Sequence, residues 1–213
     1  MKSLLLAIAV GASLLVTSNA SAVTFDFENP DTASFQRIGP DYGGFTFTNW
    51  AVIDGAGFAP SGYRNVITSG QQSACGCAAD FGQTITSITN ISSFDLVGGN
   101  FASAWNNGAT LLVEGYLGAS LLYSGNYILN TTGPSALSFG FNGINRVNFS
   151  ISGGTSAGLS GSGNYFAVDD LKINAVAAVP EPATWAMMLL GLGFIGGAMR
   201  SAKRRQNVTV SFA

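Results

Sequence analysis

The chain has 213 residues, 47% of them hydrophobic and only 9% charged, with nine Lys and Arg against eleven Asp and Glu and no histidine. Charged residues normally make up about a quarter of a soluble chain, so this balance points to an envelope or extracellular protein, and the absence of a basic excess excludes a nucleic-acid footprint. Without histidine, Ser-His-Asp and Cys-His nucleophiles, HExxH sites and every imidazole metal ligand are excluded as well.

Residues 1–22 form a three-part export signal. Lys2 supplies a basic start, Leu4 to Val16 an apolar run, and Ala20-Ser21-Ala22 a small-residue cleavage site. The apolar run is too short for the roughly 20 residues that span a bilayer, so the mature chain is expected to begin near Val23. From Val23 to Val179 the chain has ten acids and four bases, net −6. That length suits one domain with a real core.

The domain alternates with period two. Thr24-Phe25-Asp26-Phe27-Glu28 sets two phenylalanines on one face and two carboxylates on the other. Similar runs follow at 45–53, 85–91, 110–116, 120–123, 137–141, 146–151 and 165–173, separated by Gly, Asn, Ser and Pro punctuation. Leu117-Gly118-Ala119 reads as a tight hairpin turn, with Leu111, Val113 and Leu122 expected to face inward. No long 3.6-residue apolar stripe interrupts these strands. The expected fold is all-β, an antiparallel two-sheet sandwich of jelly-roll type, flanked by an N-terminal signal helix and a C-terminal transmembrane helix.

At the C-terminal end Pro180-Glu181-Pro182 precedes an uncharged stretch from Ala183 to Met199, and Arg200, Lys203, Arg204 and Arg205 follow. Pro182 suits the first turn of a helix, where its missing N–H costs nothing. The 17 uncharged residues would extend about 25 Å, the low end of a membrane span. The basic cluster places its following end on the cytoplasmic side. Residues 206–213 form a short tail.

Pro180-Glu181-Pro182, Trp185-Ala186, the glycine-bearing apolar helix and the basic cluster together closely resemble the PEP-CTERM sorting signal, also catalogued as the ice-binding-protein C-terminal domain. The resemblance covers residues 180–205. It implies an exported substrate of a Gram-negative exosortase, with the export machinery and exosortase as partners. Recognition would fall on Pro180, Glu181, Pro182 and Trp185, with a temporary membrane anchor before release or attachment at the cell surface. Such substrates are associated with exopolysaccharide and biofilm. The body of the domain is similar to a recurring type of these substrates through Phe25-Asp26-Phe27, Tyr42-Gly43-Gly44-Phe45, Ala104-Trp105, Glu114-Gly115-Tyr116 and Phe166-Ala167-Val168-Asp169-Asp170-Leu171. For proteins of that type the resemblance implies a jelly roll similar to carbohydrate-binding modules.

Three groups of residues are candidate sites. Asp26 and Glu28 on the first strand would meet Asp169 and Asp170 on the last if those strands are neighbours, and such an oxygen set suits Ca²⁺; the alternative is a solvated acidic face. Trp105, flanked by Asn106 and Asn107, is the aromatic expected at the surface and so the candidate glycan contact. Cys75-Gly76-Cys77 is a candidate disulfide that staples a loop, since a zinc site lacks further Cys or His ligands. The functional expectation is an exported, non-catalytic structural or adhesive module. A carbohydrate-binding module is the alternative, and a glycan-active hydrolase ranks third, because nothing marks a carboxylate pair as an acid and its partner base.

Overall fold

The computed structural model describes residues 21–29, 34–78, 85–175 and 182–204; the signal segment 1–20 lies outside them. The chain divides into two compact units, Met1–Ala177 and Ala178–Ala213.

The first unit is built from short strands and two long ones. β1 (Ser21–Phe25), β2 (Phe35–Arg37), β3 (Thr46–Thr48) and β4 (Ala51–Asp54) precede a four-residue helix α1 (Gly62–Asn65) and β5 (Gln72–Cys75). β6 (Thr86–Ser103) is 18 residues long. A two-residue β7 (Asn106–Asn107), the hairpin β8 (Ala109–Leu117) and β9 (Ser120–Leu129), and the 18-residue β10 (Ser135–Ser152) come next. β11 (Thr155–Ser156) pairs with β7, and β12 (Phe166–Ala175) closes the unit. All registered pairs are antiparallel, and ten strands form one hydrogen-bonded network.

That network is folded over on itself. Phe149 on β10 lies opposite Thr86, whereas Phe101 is fifteen residues further along β6 and opposite Ser135. An extended strand would separate those two places by about 50 Å, yet the Phe101 and Phe149 rings are 6.1 Å apart. The β6–β10 pair must therefore double back, and its irregularities show where. β6 spends Asn90 to Ser93 where β10 spends only Asn145, and further register shifts fall between Ser138 and Phe141 and between Phe141 and Ile144. Gly140 and Gly143 hold φ of +63° and +67° at those two shifts, the left-handed geometry that glycine gives a bulge at little cost.

Two layers result. The front layer runs β9, β8, the second half of β10, the first half of β6, then β3. The back layer runs from the first half of β10 through the second half of β6 to β12, which β5 and β1 flank, and then β4 and β2. One antiparallel strand pair wrapped across both layers gives the expected jelly-roll-like sandwich.

The core is aromatic. Trp50, fully buried between β3 and β4, packs edge-on against Phe149 at 5.5 Å and Phe166 at 5.4 Å, one from each layer. Its indole N–H donates to the Ser87 carbonyl at 3.0 Å. The expected run 45–53 is thus two strands, broken where Asn49 adopts φ +65°. Leu111 and Val113 are buried as expected. Leu122 instead faces outward, because Tyr123 and Tyr127 take the inner side of β9 against Phe141 and Phe139.

A second apolar cluster lies on the other side of the back layer. Ala51, Cys75, Ala102, Ala104 and Ala167 make a low surface there, on which Tyr63, Val66 and Trp105 pack. α1 sits so close that a Cβ on Gly62 would run into the Ser103 carbonyl. The back layer is therefore capped, whereas among the described residues nothing covers the front layer's outer face.

In the second unit, α2 (Pro182–Arg204) is 23 residues long. Among the described residues no helix is long and apolar enough to cross a membrane, so the transmembrane helix expected over 183–199 is present as a helix only. Met188, Leu189, Leu190, Leu192, Phe194, Ile195 and Met199 are all exposed on it.

Candidate functional site

The four carboxylates expected at a calcium site are not gathered round one point: among the described residues no group of three or more His, Cys, Asp or Glu side chains could hold a metal ion. β1 and β12 are neighbours, as the expectation required, but local backbone geometry sends the carboxylates to other tasks. Between Asp169 and Lys172 the register against β6 slips, and Asp170 adopts φ +49°. This bulge turns Asp169 into the space under the 68–72 loop, where it is wholly buried.

Its oxygens are occupied there. Oδ2 accepts from the backbone N–H of Thr68 at 2.7 Å and Ser69 at 2.8 Å, and Oδ1 from that of Asp170 at 2.7 Å. The Ser69 hydroxyl adds a further bond. Burial pushes the Asp169 carboxyl above the usual range, and the three backbone donors pull it partly back. Asp170 accepts from the Thr68 hydroxyl at 2.9 Å. Glu28 is turned by Phe27 at φ +58° and accepts from Gln71 N at 2.9 Å and Gln72 N at 2.8 Å. Asp26 accepts from Glu28 N at 3.2 Å. Glu28, just after the first strand, and Asp169 and Asp170 of the last thus clasp one loop between them through its backbone and hydroxyl donors.

The glycan contact expected at Trp105 is also corrected. Trp105 is 8% exposed, with its ring edge-on to Tyr63 at 5.5 Å and Gly161 passing directly over it. The flanking Asn106 and Asn107 belong to the β7–β11 ribbon, and the indole belongs to the capped cluster. Polar neighbours in sequence reported on the alternate face, not on the tryptophan.

Cys75 and Cys77 are joined by a disulfide, with their Cα atoms 5.2 Å apart. Cys75 ends β5 opposite Ala51 and Ala167. Gly76 between them has no room for a side chain, because a Cβ would meet the Phe166 ring and the Thr86 hydroxyl.

The front face, uncovered among the described residues, carries a cluster of which only Glu114 and Tyr116 stood out in the sequence, as part of a motif and not as a site. Tyr116, Arg146, Thr89 and Thr46 lie in one cross-strand row, and Glu114, Asn148, Ser87 and Thr48 in the next. The Arg146 guanidinium carbon is 4.3 Å from the Tyr116 ring centroid, a cation–π contact. The Tyr116 hydroxyl donates to Glu114 Oε2 at 3.1 Å. Arg146 Nε is buried without a hydrogen-bond partner. The signal was available in the polar members of the 110–116 and 146–151 alternations, but the strand pairing that aligns them was not.

Of the sorting residues, Pro180, Glu181 and Arg205 lie outside the described residues, while Pro182, Trp185, Arg200, Lys203 and Arg204 fall within α2. Arg200 is exposed at the basic end.

Comparison with known proteins gives one family match, to the PEP-CTERM protein-sorting motif over residues 178–205. No curated protein matches the chain. Among solved structures, the N-terminal CBM22-1-CBM22-2 tandem domain from Paenibacillus barcinonensis Xyn10C is similar with a TM-score of 0.39 and 14% identity, covering 78% of this chain and 49% of that one. The chain spans about half the length of that structure. The basic-ended helix and the triplet before it thus match the PEP-CTERM protein-sorting motif, and the chain carries that motif over residues 178–205, which implies export and processing by an exosortase.

Proposed function

We propose that the protein is a non-catalytic structural or adhesive module of the cell surface or its matrix. It is delivered by residues 1–22, held in the inner membrane of a Gram-negative cell by α2, then released or attached by an exosortase acting near Pro180-Glu181-Pro182. The observation that carries this reading is the sorting motif at 178–205. The exposed apolar residues of α2 support it: at 100° per residue they point in every direction round the helix, the pattern of a helix made for an apolar surrounding. Exposed Arg200 then begins the basic cluster that would stay inside. Export of a Glu181→Ala chain in a host with exosortase tests it. The variant should keep the mass of the uncut form and stay with the membrane; maturation to the wild-type mass and place would overturn the reading.

A second reading is favoured by the front face. Arg146 as donor, Glu114 as acceptor, Asn148 as both, and hydroxyls at Thr46, Thr48, Ser87 and Thr89 form an uncapped grid on a sheet. Such a mixed set matches the alternating donors and acceptors of a polyhydroxylated chain. Under this reading the module binds extracellular polysaccharide there. Calorimetric titration with neutral polysaccharides should give binding that Arg146→Ala and Tyr116→Ala each remove. Binding that survives both substitutions would place the ligand elsewhere.

A further inference from the structure

β9 is the outermost strand of the front layer. It pairs with β8, and among the described residues nothing pairs with its other edge. An edge strand presents a row of free N–H and C=O groups, which proteins usually guard with lysine, proline, a bulge or a very short strand. β9 has ten residues with neither proline nor charge, its single register shift against β8 falls near its start at Leu122, and no charged residue occurs from Gly115 to Asn145. In a domain of net charge −6, this is the side on which two copies would repel each other least.

The residues along the edge are self-complementary. Leu122 is 47% exposed and Ile128 60%, with exposed Ser124 and Asn126 between them. We propose that β9 is an interface between two copies of this chain, which pair edge to edge and antiparallel about a two-fold axis at Gly125.

A two-fold axis normal to the sheet keeps outer residues opposite outer residues. Centred on Gly125, it sets Leu122 of one copy opposite Ile128 of the other, and Ser124 opposite Asn126, each twice. On the inner side Tyr123 meets Tyr127. The pairing is regular from Tyr123 to Tyr127 and extends on either side to Leu122, at the bulge of β9, and to Ile128. Centring on Ser124 would set Leu122 against Asn126 and Ile128 against Ser120, and centring on Asn126 would set Ile128 against Ser124. Only the Gly125 centre pairs apolar with apolar and polar with polar.

Site-directed cross-linking of the full chain in detergent micelles tests this. The native cysteines bond to each other, so none is free to interfere. Ser124→Cys chains mixed with Asn126→Cys chains should form a linked dimer on mild oxidation, and neither variant alone should do so. A link in Ser124→Cys alone, in Asn126→Cys alone, or in no sample overturns the register. A chain carrying both Ser124→Lys and Asn126→Lys sets like charges opposite each other. Its protein mass per particle by light scattering should be half that of wild type, with the urea midpoint of the sandwich kept. A wild-type chain that is already monomeric would overturn the proposal and assign the edge to a different partner. A dimer that survives the lysines would overturn it too, and assign association to α2.

Discussion

Removing the carboxylate of Asp169 tests whether this residue holds a loop rather than a metal. Asp169→Ala leaves the N–H groups of Thr68, Ser69 and Asp170 without the acceptor they now reach at 2.7, 2.8 and 2.7 Å. A buried donor left unpaired costs about 1–3 kcal/mol. Three would cost up to about 9 kcal/mol if none relaxed, but the 68–72 loop is exposed at Thr68, Gly70 and Gln71 and can admit water. The desolvation cost of the buried charge is also relieved, which brings the expected loss to about 3–5 kcal/mol. Asp169→Asn should cost about 1–3 kcal/mol, because its carbonyl can replace Oδ2 toward Thr68 and Ser69, and only the Asp170 N–H then faces an amide donor. Urea unfolding followed by tryptophan fluorescence gives the midpoints, and hydrogen exchange at Thr68 and Ser69 localises the effect. EDTA should leave the wild-type midpoint where it is. A loss below about 0.5 kcal/mol for Asp169→Ala, or a wild-type midpoint that falls with EDTA, would refute the clasp.

Three further substitutions probe the packing around it. Gly62→Ala drives a Cβ into the backbone of β6 at Ser103, where no side chain can yield, and should cost about 1–3 kcal/mol by overpacking in the same urea assay. Trp50→Ala empties the contact between layers and should cost about 3–5 kcal/mol; a smaller loss would mean that the Phe149 and Phe166 rings close the gap. Tyr42 lies against Phe25, Phe27 and Phe47, and burial, followed by the charges of Asp26 and Glu28, raises its phenol from 10.0 to about 12. The folded state therefore keeps this proton to higher pH than the unfolded state does. Stability falls as pH rises from 10 to about 12 and is unaffected by this group below that window. Tyr42→Phe should remove part of the alkaline decline in thermal midpoint, while Tyr63, raised in the same direction by burial, retains the rest.

Period-two alternation was enough to read the strand-rich body from the sequence, because Phe25 and Phe27, Leu111 and Val113, or Val147 and Phe149 are spaced for one buried face. It could not show that 85–91 and the following Gly98-Gly99-Asn100 stretch belong to one strand. Those glycines look like loop, yet a Cβ on Gly98 would collide with the Leu137 carbonyl; the small residue is required by close strand packing. The carboxylates were legible as a group from two neighbouring strands. Their purpose was not, since it turns on positive φ at Phe27 and Asp170, which neither residue type advertises. Trp105 failed for the opposite reason: its neighbours Asn106 and Asn107 gave a true signal about a polar ribbon, and the indole lies on the other side of the chain.

The two features of the sandwich left uncovered among the described residues, the front face and the β9 edge, are adjacent, and under the two proposals above polysaccharide binding at the one would be coupled to pairing at the other. A two-fold axis normal to the sheet leaves both Tyr116–Arg146 pairs on the same face of one continuous sheet. Each Arg146 is on β10, two strands in from the junction, so five strand spacings of about 4.8 Å separate the pair across the sheet, about 24 Å. Arg146 pairs with Tyr116, three residues along β8 from Val113, which is level with the axis at Gly125. The two sites are therefore offset by about six residues, or about 20 Å, along the strands, and lie about 31 Å apart. An oligosaccharide shorter than that reaches one site, whereas a long chain reaches both and gains avidity of about 10²-fold or more. Binding of short and long chains of the same sugar should thus differ strongly for wild type, and by far less for the chain carrying Ser124→Lys and Asn126→Lys, with the short-chain affinity equal in both. An equal length dependence in the two proteins would show that the front face, whatever it binds, works as a single site.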